Sequence, residues 1–335
     1  MPLILDRKQV LDIYAEAGEK KWVIPTFNSE NLTTTEAILS GALEYGNSIG
    51  KADIPVTIGI TNQYSHRSQS VYYTHTRRWD IGLKLFLADL AVLTEKNSPF
   101  GNLNVMVHLD HTQWDSDKPL LEWDMKMFSM IMYDASALPF EDNIRHTREF
   151  IEKHCHEIVI EGACDEIVDA TGDIRSDLTT PDEASRYLEQ TGADFIVANL
   201  GTEHRASAAD LNYHGDLARE ISRLTGTKLV LHGTSSVGND QIRYLFNDGI
   251  AKVNIWTILE RNSSPVLFED MVRNASRITG RQKAEAMHRD GLLGENADMV
   301  NRASLSHYTT VYRQDIIFSE MKKIVLGYLN LWYVL

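Results

Sequence analysis

At 335 residues the chain is long enough for one large α/β barrel or for two ordinary domains, and either buries a full core. Apolar residues at 43% and charged residues at 24% are the proportions of a chain folded throughout, which excludes collagen-like, low-complexity and disordered classes. A formal net charge of −14 argues against nucleic acid or an anionic membrane as a general partner, yet leaves a local basic pocket free to hold a phosphate. Cys155 and Cys164 make neither a disulfide framework nor a CxxC site, and MPLILDRKQV lacks the apolar core of a signal peptide, so a cytoplasmic protein is expected. The apolar end, Ile324 to Leu335, has about half the length a membrane-spanning helix needs and is expected to pack on the core or on another subunit.

In chain order, an amphipathic helix over Asp6 to Lys20 leads to an apolar strand, Trp22 to Asn28. A second helix, Thr33 to Tyr45, precedes the β-branched strand Pro55 to Thr61. Asn62 to Trp79 reads as a long loop carrying His66, Arg67, His75, Arg77 and Arg78, either solvated or closing over a site, and Ile81 to Leu93 is the helix after it. Leu103 to His111, LNVMVHLDH, is a buried parallel strand ending in two histidines and an aspartate. With a period of two, His111 and Leu109 should face one way and Asp110 the other. Leu120 to Lys126 is expected to be helical, Phe128 to Ser136 a strand, Phe140 to His154 a helix and Glu157 to Ala163 a strand. After an acidic loop, Cys164 to Thr179, the run Thr180-Pro181-Asp182-Glu183 has the chemistry of a helix start: a capping hydroxyl, a proline in the first turn and a glutamate three residues on. Strands follow at Asp194 to His204, Lys228 to Gly233 and Ile250 to Ile255, with helices at Leu217 to Leu224 and Asn239 to Asp248 between them.

Strict alternation of eight short apolar strands with helices predicts an α/β fold, a (β/α)8 TIM barrel, as one domain over residues 1–335 with residues 261–335 as a helical C-terminal extension. In such a barrel the catalytic groups gather at the C-terminal strand ends. Asn28, Thr61, His111, Asp134, Glu161, His204, His232 and Asn254 all fall there, so residues far apart in sequence should share one mouth. His111, His204 and His232 are enough for a catalytic zinc with an open position, although any one of them alone could as well be structural. His154-Cys155-His156 looks like a metal tract but lies at a helix end on the opposite rim.

Six segments in matching order, VIPTFNSEN, VHLDH, YDASALPFEDNIRHTREFIE, the block from TTPDEASRYLEQ to VANLGTEH, LVLHGTSSV and GIAKVNIWT, give the chain its resemblance to the class II, zinc-dependent fructose-bisphosphate and tagatose-bisphosphate aldolases over about residues 1 to 260. The resemblance implies Zn2+ on His111, His204 and His232, Asp110 as the catalytic aspartate, and a second carboxylate on the loop after strand five, for which Glu166, Asp169 and Asp173 are candidates. It implies a sugar phosphate substrate whose phosphate is held near Gly233, Ser235, Asn254 and Thr257, with Asn28 and Thr61 as further substrate contacts, in a homodimer or homotetramer.

This sequence departs from the family pattern at several points. Arg205 stands where relatives have glycine, and Trp256 where they have a small or acidic residue; LHGTSSV replaces the more glycine-rich LHGGSGV, and Ala163 takes the place of a second strand-five glutamate. Arg205 can take a carboxylate or phosphate, Trp256 should narrow the pocket between strands eight and one, and the basic loop from His66 to Arg78 can meet a second anionic end. A substrate altered from fructose 1,6-bisphosphate is therefore expected. The contrary arrangement turns Trp256 into a helix interface and pairs Arg205 with an acidic neighbour. Two other classes stay open: a metal-dependent sugar lyase or epimerase, and a barrel subunit without catalysis.

Overall fold

Eight parallel strands close in sequence order into a barrel: β1 (Ile24–Asn28), β2 (Pro55–Thr61), β3 (Asn104–Gln113), β4 (Met130–Asp134), β5 (Val159–Ala163), β6 (Phe195–Val197), β7 (Leu229–Leu231) and β8 (Ile250–Ile255). The computed structural model describes residues 3–165, 178–202 and 213–334. β8 closes on β1 with Lys252 opposite Ile24 and Asn254 opposite Thr26, completing the (β/α)8 barrel expected from the sequence. The strands are buried nearly end to end because helices cover the outside while side chains fill the inside.

The helix Phe140–His154 has its expected limits, and Pro181–Thr191 starts with the expected chemistry: Thr180 accepts from the Glu183 amide, and the Glu183 carboxylate accepts from the Thr180 amide. Two helices expected from the sequence are interrupted or tightened. Between Lys118–Leu121 and the 3-10 turn Met125–Met127, the Asp124 carboxylate accepts from the Lys126 amide and competes with a continuous helix. Asn239 to Asp248 is realised as the 3-10 segment Ile242–Asp248, stopped by left-handed Gly249. The long basic loop contains a short helix, Gln69–Tyr72, and the helix after it starts at Trp79.

The third strand corrects the sequence reading. Alternation should have turned His111 away from Asp110, but β3 runs on to Gln113, its register against β4 shifts between Leu109 and Thr112, and His111 adopts φ 46°. This is a bulge with a left-handed residue, and it rotates His111 back toward the side to which Asp110 already points.

The apolar C-terminal end packs on the core. The helix Thr310–Trp332 lies against Leu32–Ser48 so closely that a Cβ on Gly41 would stand 2.7 Å from Val325 Cγ1. Its far end reaches the segment after β7, where the Trp332 indole donates to the Ile242 carbonyl at 2.7 Å. It thus fills the place between the helix after β1 and the segment after β7. Residues between the helix Thr257–Arg273 and this last helix carry a small core of their own around Ala275, Ala284, Leu293 and Ala297. Beyond the last helix, fully buried Tyr333 stacks on Trp22 at 4.5 Å and donates to the Pro55 carbonyl at 2.9 Å, while the Trp22 indole donates to the Val334 carbonyl at 2.9 Å. Among the described residues no helix is long and apolar enough to cross a membrane.

Tyr333 therefore ties the chain end to the start of β2. Tyr333→Ala should lower the unfolding free energy by about 3–5 kcal/mol, as for other buried aromatics. Tyr333→Phe, which loses only the bond to Pro55, should cost about 1 kcal/mol. Urea denaturation of both variants checks this, and equal losses in the two would show that the ring contributes little.

Candidate active site

Period two in the strands puts His108 and Asp110 of β3, Glu161 of β5, Lys252 and Asn254 of β8 and Thr26 and Asn28 of β1 inside the barrel, and the bulge adds His111. β7 ends at Leu231, so His232 enters the same mouth. Asp110, His111 and His232 are buried and offer ligand atoms all within 4.8 Å of one another. His111 Nε2 and His232 Nδ1 are 3.1 Å apart. Two nitrogens bound at about 2.0–2.1 Å to a tetrahedral zinc would stand roughly 3.3 Å apart, so the pair fits such an ion in spacing once the proton between the two rings has left.

His111 is oriented from behind. Its Nδ1 lies 3.1 Å from Asp134 Oδ2, and an ionised carboxylate only accepts, so Nδ1 carries a proton and Nε2 is the nitrogen turned toward His232. Asp134 also accepts from Gln113 Nε2 at 2.9 Å and from the Ser136 hydroxyl at 2.6 Å. Burial opposes ionisation of Asp134, but His111 and these donors outweigh it and hold the carboxyl below its ordinary range. Tyr64, from the loop after β2, stacks on the His111 ring at 4.1 Å with the planes 3° apart.

Asp110 accepts from two amides, Asn28 Nδ2 on Oδ2 and Asn254 Nδ2 on Oδ1, each at 2.7 Å. Asn28 has room because residue 59 is glycine; a Cβ there would stand 2.3 Å from Asn28 Oδ1. Burial again opposes ionisation, and His111, His108 and His232 overcome it, leaving the Asp110 carboxyl well below the usual range. Asn28 and Asn254, assigned to the substrate from the sequence, line the cleft and at the same time hold Asp110.

A cleft opens above these residues, and Asn28, Asp110, His111, His232 and Asn254 line it. Thr61, Gly233, Ser235, Trp256 and Thr257 also line it. Thr61 spends its polar groups locally: its amide donates to Gln69 Oε1 at 2.8 Å, and its hydroxyl bonds the Arg67 carbonyl. The turn after β7 needs one left-handed residue, Gly233 at φ 65°, after which Thr234–Ser236 form a 3-10 turn. Thr234 and Ser236 therefore adopt this turn without the φ > 0 freedom of glycine, and Thr234 Oγ1 donates to the Asn254 carbonyl at 2.8 Å. The helix Thr257–Arg273 starts beside this turn without a side-chain cap. Trp256 is its N-cap residue and faces the cleft.

The basic loop is less free than its sequence suggests. Arg67 pairs bidentately with buried Glu30 and lies over the Tyr72 ring at 4.4 Å; Arg77 covers the same ring at 4.5 Å, and Arg78 pairs with Asp80 at 2.7 Å. Beside the Glu30–Arg67 pair, burial and then the charge of Glu30 push the Glu260 carboxyl up to about 7, against the opposing pull of Arg67.

His204, Arg205, Glu166, Asp169 and Asp173 lie outside the described residues. The sequence reading missed Tyr64, which has no motif, and the interior His108 and Lys252; Glu161, expected at the mouth, instead pairs with Lys252 inside the barrel. A lysine in the middle of IAKVNI, two residues from Asn254 and hence on its face, was the available signal. In the His154-Cys155-His156 tract, His154 Nδ1 is hydrogen-bonded to Glu157 at 2.9 Å and Cys155 is exposed.

A sequence model described as fructose-bisphosphate aldolase class-II matches residues 8–305, well past the 260 positions covered by the motifs. Among curated relatives, the "Probable fructose-bisphosphate aldolase" of Bacillus subtilis is 28% identical over 279 residues, covering 81% of this chain and 87% of its own length. The fructose-bisphosphate aldolase of Giardia intestinalis is 27% identical over 248 residues, with 72% and 68% covered. Among solved structures, the fructose-bisphosphate aldolase of Campylobacter jejuni superposes with a TM-score of 0.76 at 17% identity over 99% of this chain and 95% of that one. The YdjI aldolase of Escherichia coli K12 gives 0.64 at 20% over 95% and 94%. At these identities the two structures speak for the fold.

The Glu260 environment makes stability depend on pH. Its carboxyl titrates near 7 when folded and near 4.5 when unfolded, so the folded state binds the extra proton between those values. The contribution is fully present below about pH 4.5 and is lost as pH rises through 7. Glu260→Gln should therefore gain about 1–3 kcal/mol over the parent at pH 8 relative to the same comparison at pH 4.5. Urea titrations at the two values measure it, and a pH-independent difference would contradict the assignment.

Proposed function

The chain belongs to the class II fructose-bisphosphate aldolase family, and from that premise we propose a zinc-dependent aldolase that makes or breaks a carbon–carbon bond in a ketose phosphate. The observation that carries this reading is the pairing of two imidazole nitrogens at 3.1 Å with a buried carboxylate held by two amides beside them. His111 and His232 would hold the ion, joined by His204 through the family resemblance. When bound, zinc supplies a Lewis acid that polarises a carbonyl and offsets the negative charge developing on its oxygen.

The chain's own residues do the rest. Asp110 stays ionised, and each carboxylate oxygen has a lone pair beyond the one taken by its asparagine, so it can receive the proton of the hydroxyl on the carbon being cleaved. Asn28 and Asn254 keep that carboxylate in one orientation while the proton moves. In the condensation direction, Glu166, Asp169 or Asp173 would remove the proton from the dihydroxyacetone phosphate carbon. Backbone amides of the turn at Gly233 and Ser235, with the uncapped N-terminus beginning at Thr257, suit the phosphate of that half.

The far end of the substrate differs from that of fructose 1,6-bisphosphate in this reading. Trp256 narrows the cleft, and Arg67, the described arginine lining it, is neutralised by Glu30 with Glu260 alongside. A second phosphate would compete with a buried carboxylate for that guanidinium. Arg205 is the further cation proposed for this side.

Two experiments test the reading. Elemental analysis should find one zinc per chain, lost in His232→Ala and kept in Asp110→Ala, whose turnover should fall about 10²-fold or more. Unchanged metal in His232→Ala, with loss in His154→Ala, would mean the wrong histidines. Steady-state kinetics with fructose and tagatose bisphosphates should give kcat/KM below about 10⁴ M⁻¹s⁻¹ for both. An ordinary enzymatic value for either would retire the altered substrate while leaving the aldolase intact.

A further inference from the structure

Lys252 is fully buried in the centre of β8, at a depth where a (β/α)8 barrel is ordinarily filled by branched apolar side chains. Its Nζ lies 2.9 Å from Glu161 Oε1 and 3.1 Å from Glu161 Oε2, 2.6 Å from Asn254 Oδ1 and 3.3 Å from His108 Nε2. A buried ion pair is a poor source of stability, because desolvation of the two charges offsets their attraction. The pair therefore asks for a reason other than holding the barrel together.

Asn254 supplies it. A carboxamide can be placed in either of two orientations, and only one leaves an N–H toward Asp110. An ammonium group has donors and no acceptor, so Asn254 must turn Oδ1 toward Lys252. That forces Nδ2 to the opposite side, where it stands 2.7 Å from Asp110 Oδ1 and 3.1 Å from His232 Nε2. A neutral or acidic side chain at 252 would permit the reversed amide, with Oδ1 facing the Asp110 carboxylate in mutual repulsion.

We propose that Lys252 is a positioning residue: by fixing the Asn254 carboxamide it sets the orientation of the Asp110 carboxylate, and Glu161 is present to make the buried ammonium tolerable. The consequence for turnover rests on the aldolase reading above, whereas the orientation of Asn254 does not.

The experiment separates the two. Lys252→Met alone strands Glu161 without a partner and is expected to misfold, so the informative variant is Lys252→Met with Glu161→Leu, which replaces the pair by apolar groups of similar volume. In wild-type protein selectively labelled with ¹⁵N-asparagine, the Asn254 side-chain amide, identified by its disappearance in Asn254→Ser, should exchange slowly with solvent. In the double variant, with an unchanged thermal midpoint, it should exchange at least about tenfold faster, and kcat should fall about tenfold or more with KM within roughly twofold. If the apolar pair does not fold, Lys252→Leu with Glu161→Gln carries the same readouts. Fast exchange in wild type, or a folded double variant keeping slow exchange and its kcat, overturns the proposal. A wild-type protein inert toward ketose phosphates would instead remove the aldolase reading, and the amide signal would still decide the role of Lys252.

Discussion

The left-handed backbone at His111 is the constraint on which the candidate site depends. A non-glycine residue held at φ 46° costs on the order of 1–3 kcal/mol, and such a conformation persists only where the surroundings over-determine it. Here they do, through Asp134 on Nδ1, Tyr64 flat on the ring and continued pairing of β3 with β4 beyond the bulge. With regular alternation, the strand would deliver Asp110 to the mouth and His111 to the outside. The bulge lets two consecutive residues serve one site, as carboxylate and imidazole.

A second layer of polar groups lies beneath the first. His108, Glu161, Lys252 and Asn254 occupy interior positions where apolar packing would be simpler, and they connect by hydrogen bonds or ionic contact upward to Asp110. The barrel can carry this load because its stability comes largely from elsewhere. Its strands and outer helices form one continuous apolar core, and the C-terminal helix, with Trp332 and Tyr333, joins the segment after β7 to the start of β2. Stabilising packing lies around and below the barrel, and costly polar groups lie at the mouth. A (β/α)8 barrel permits this division because loops at one rim can change without disturbing the other.

Much of the fold was legible in the sequence because short apolar strands and amphipathic helices have different periods, and Thr180, Pro181 and Glu183 mark a helix start in local chemistry alone. The strand-end rule likewise brought Asn28, Thr61, His111, His232 and Asn254 to one cleft. What was not legible depended on departures from period or on partners distant in sequence. No local pattern announces the positive φ at His111. The amides of Asn28 and Asn254 find Asp110 only once three strands are adjacent, and a loop tyrosine such as Tyr64 is unremarkable until the loop folds over the ring. Nor does the sequence show that Arg67 of the His66 to Arg78 loop is already paired, because Glu30 lies far from it in the chain and meets it only in space.

That pairing bears on how charge is distributed across the cleft. At one side lie the Gly233 turn and the start of the helix Thr257–Arg273, whose N-terminus carries a partial positive charge that does not titrate. At the other, Glu30, Arg67 and Glu260 form a group whose net charge depends on one proton: neutral overall while Glu260 is protonated, and −1 once it ionises near pH 7. The two sides therefore treat anions unequally, and the inequality grows with pH. Under the proposed function, a ligand with one phosphate and a less charged far end would fit this asymmetry better than one with two equivalent phosphates. Arg67 can orient a neutral polar group without leaving Glu30, because a guanidinium has five N–H donors and a bidentate carboxylate occupies only part of them. Trp256, which lines the same cleft, would act in the same direction by shape if the proposed substrate is the right one.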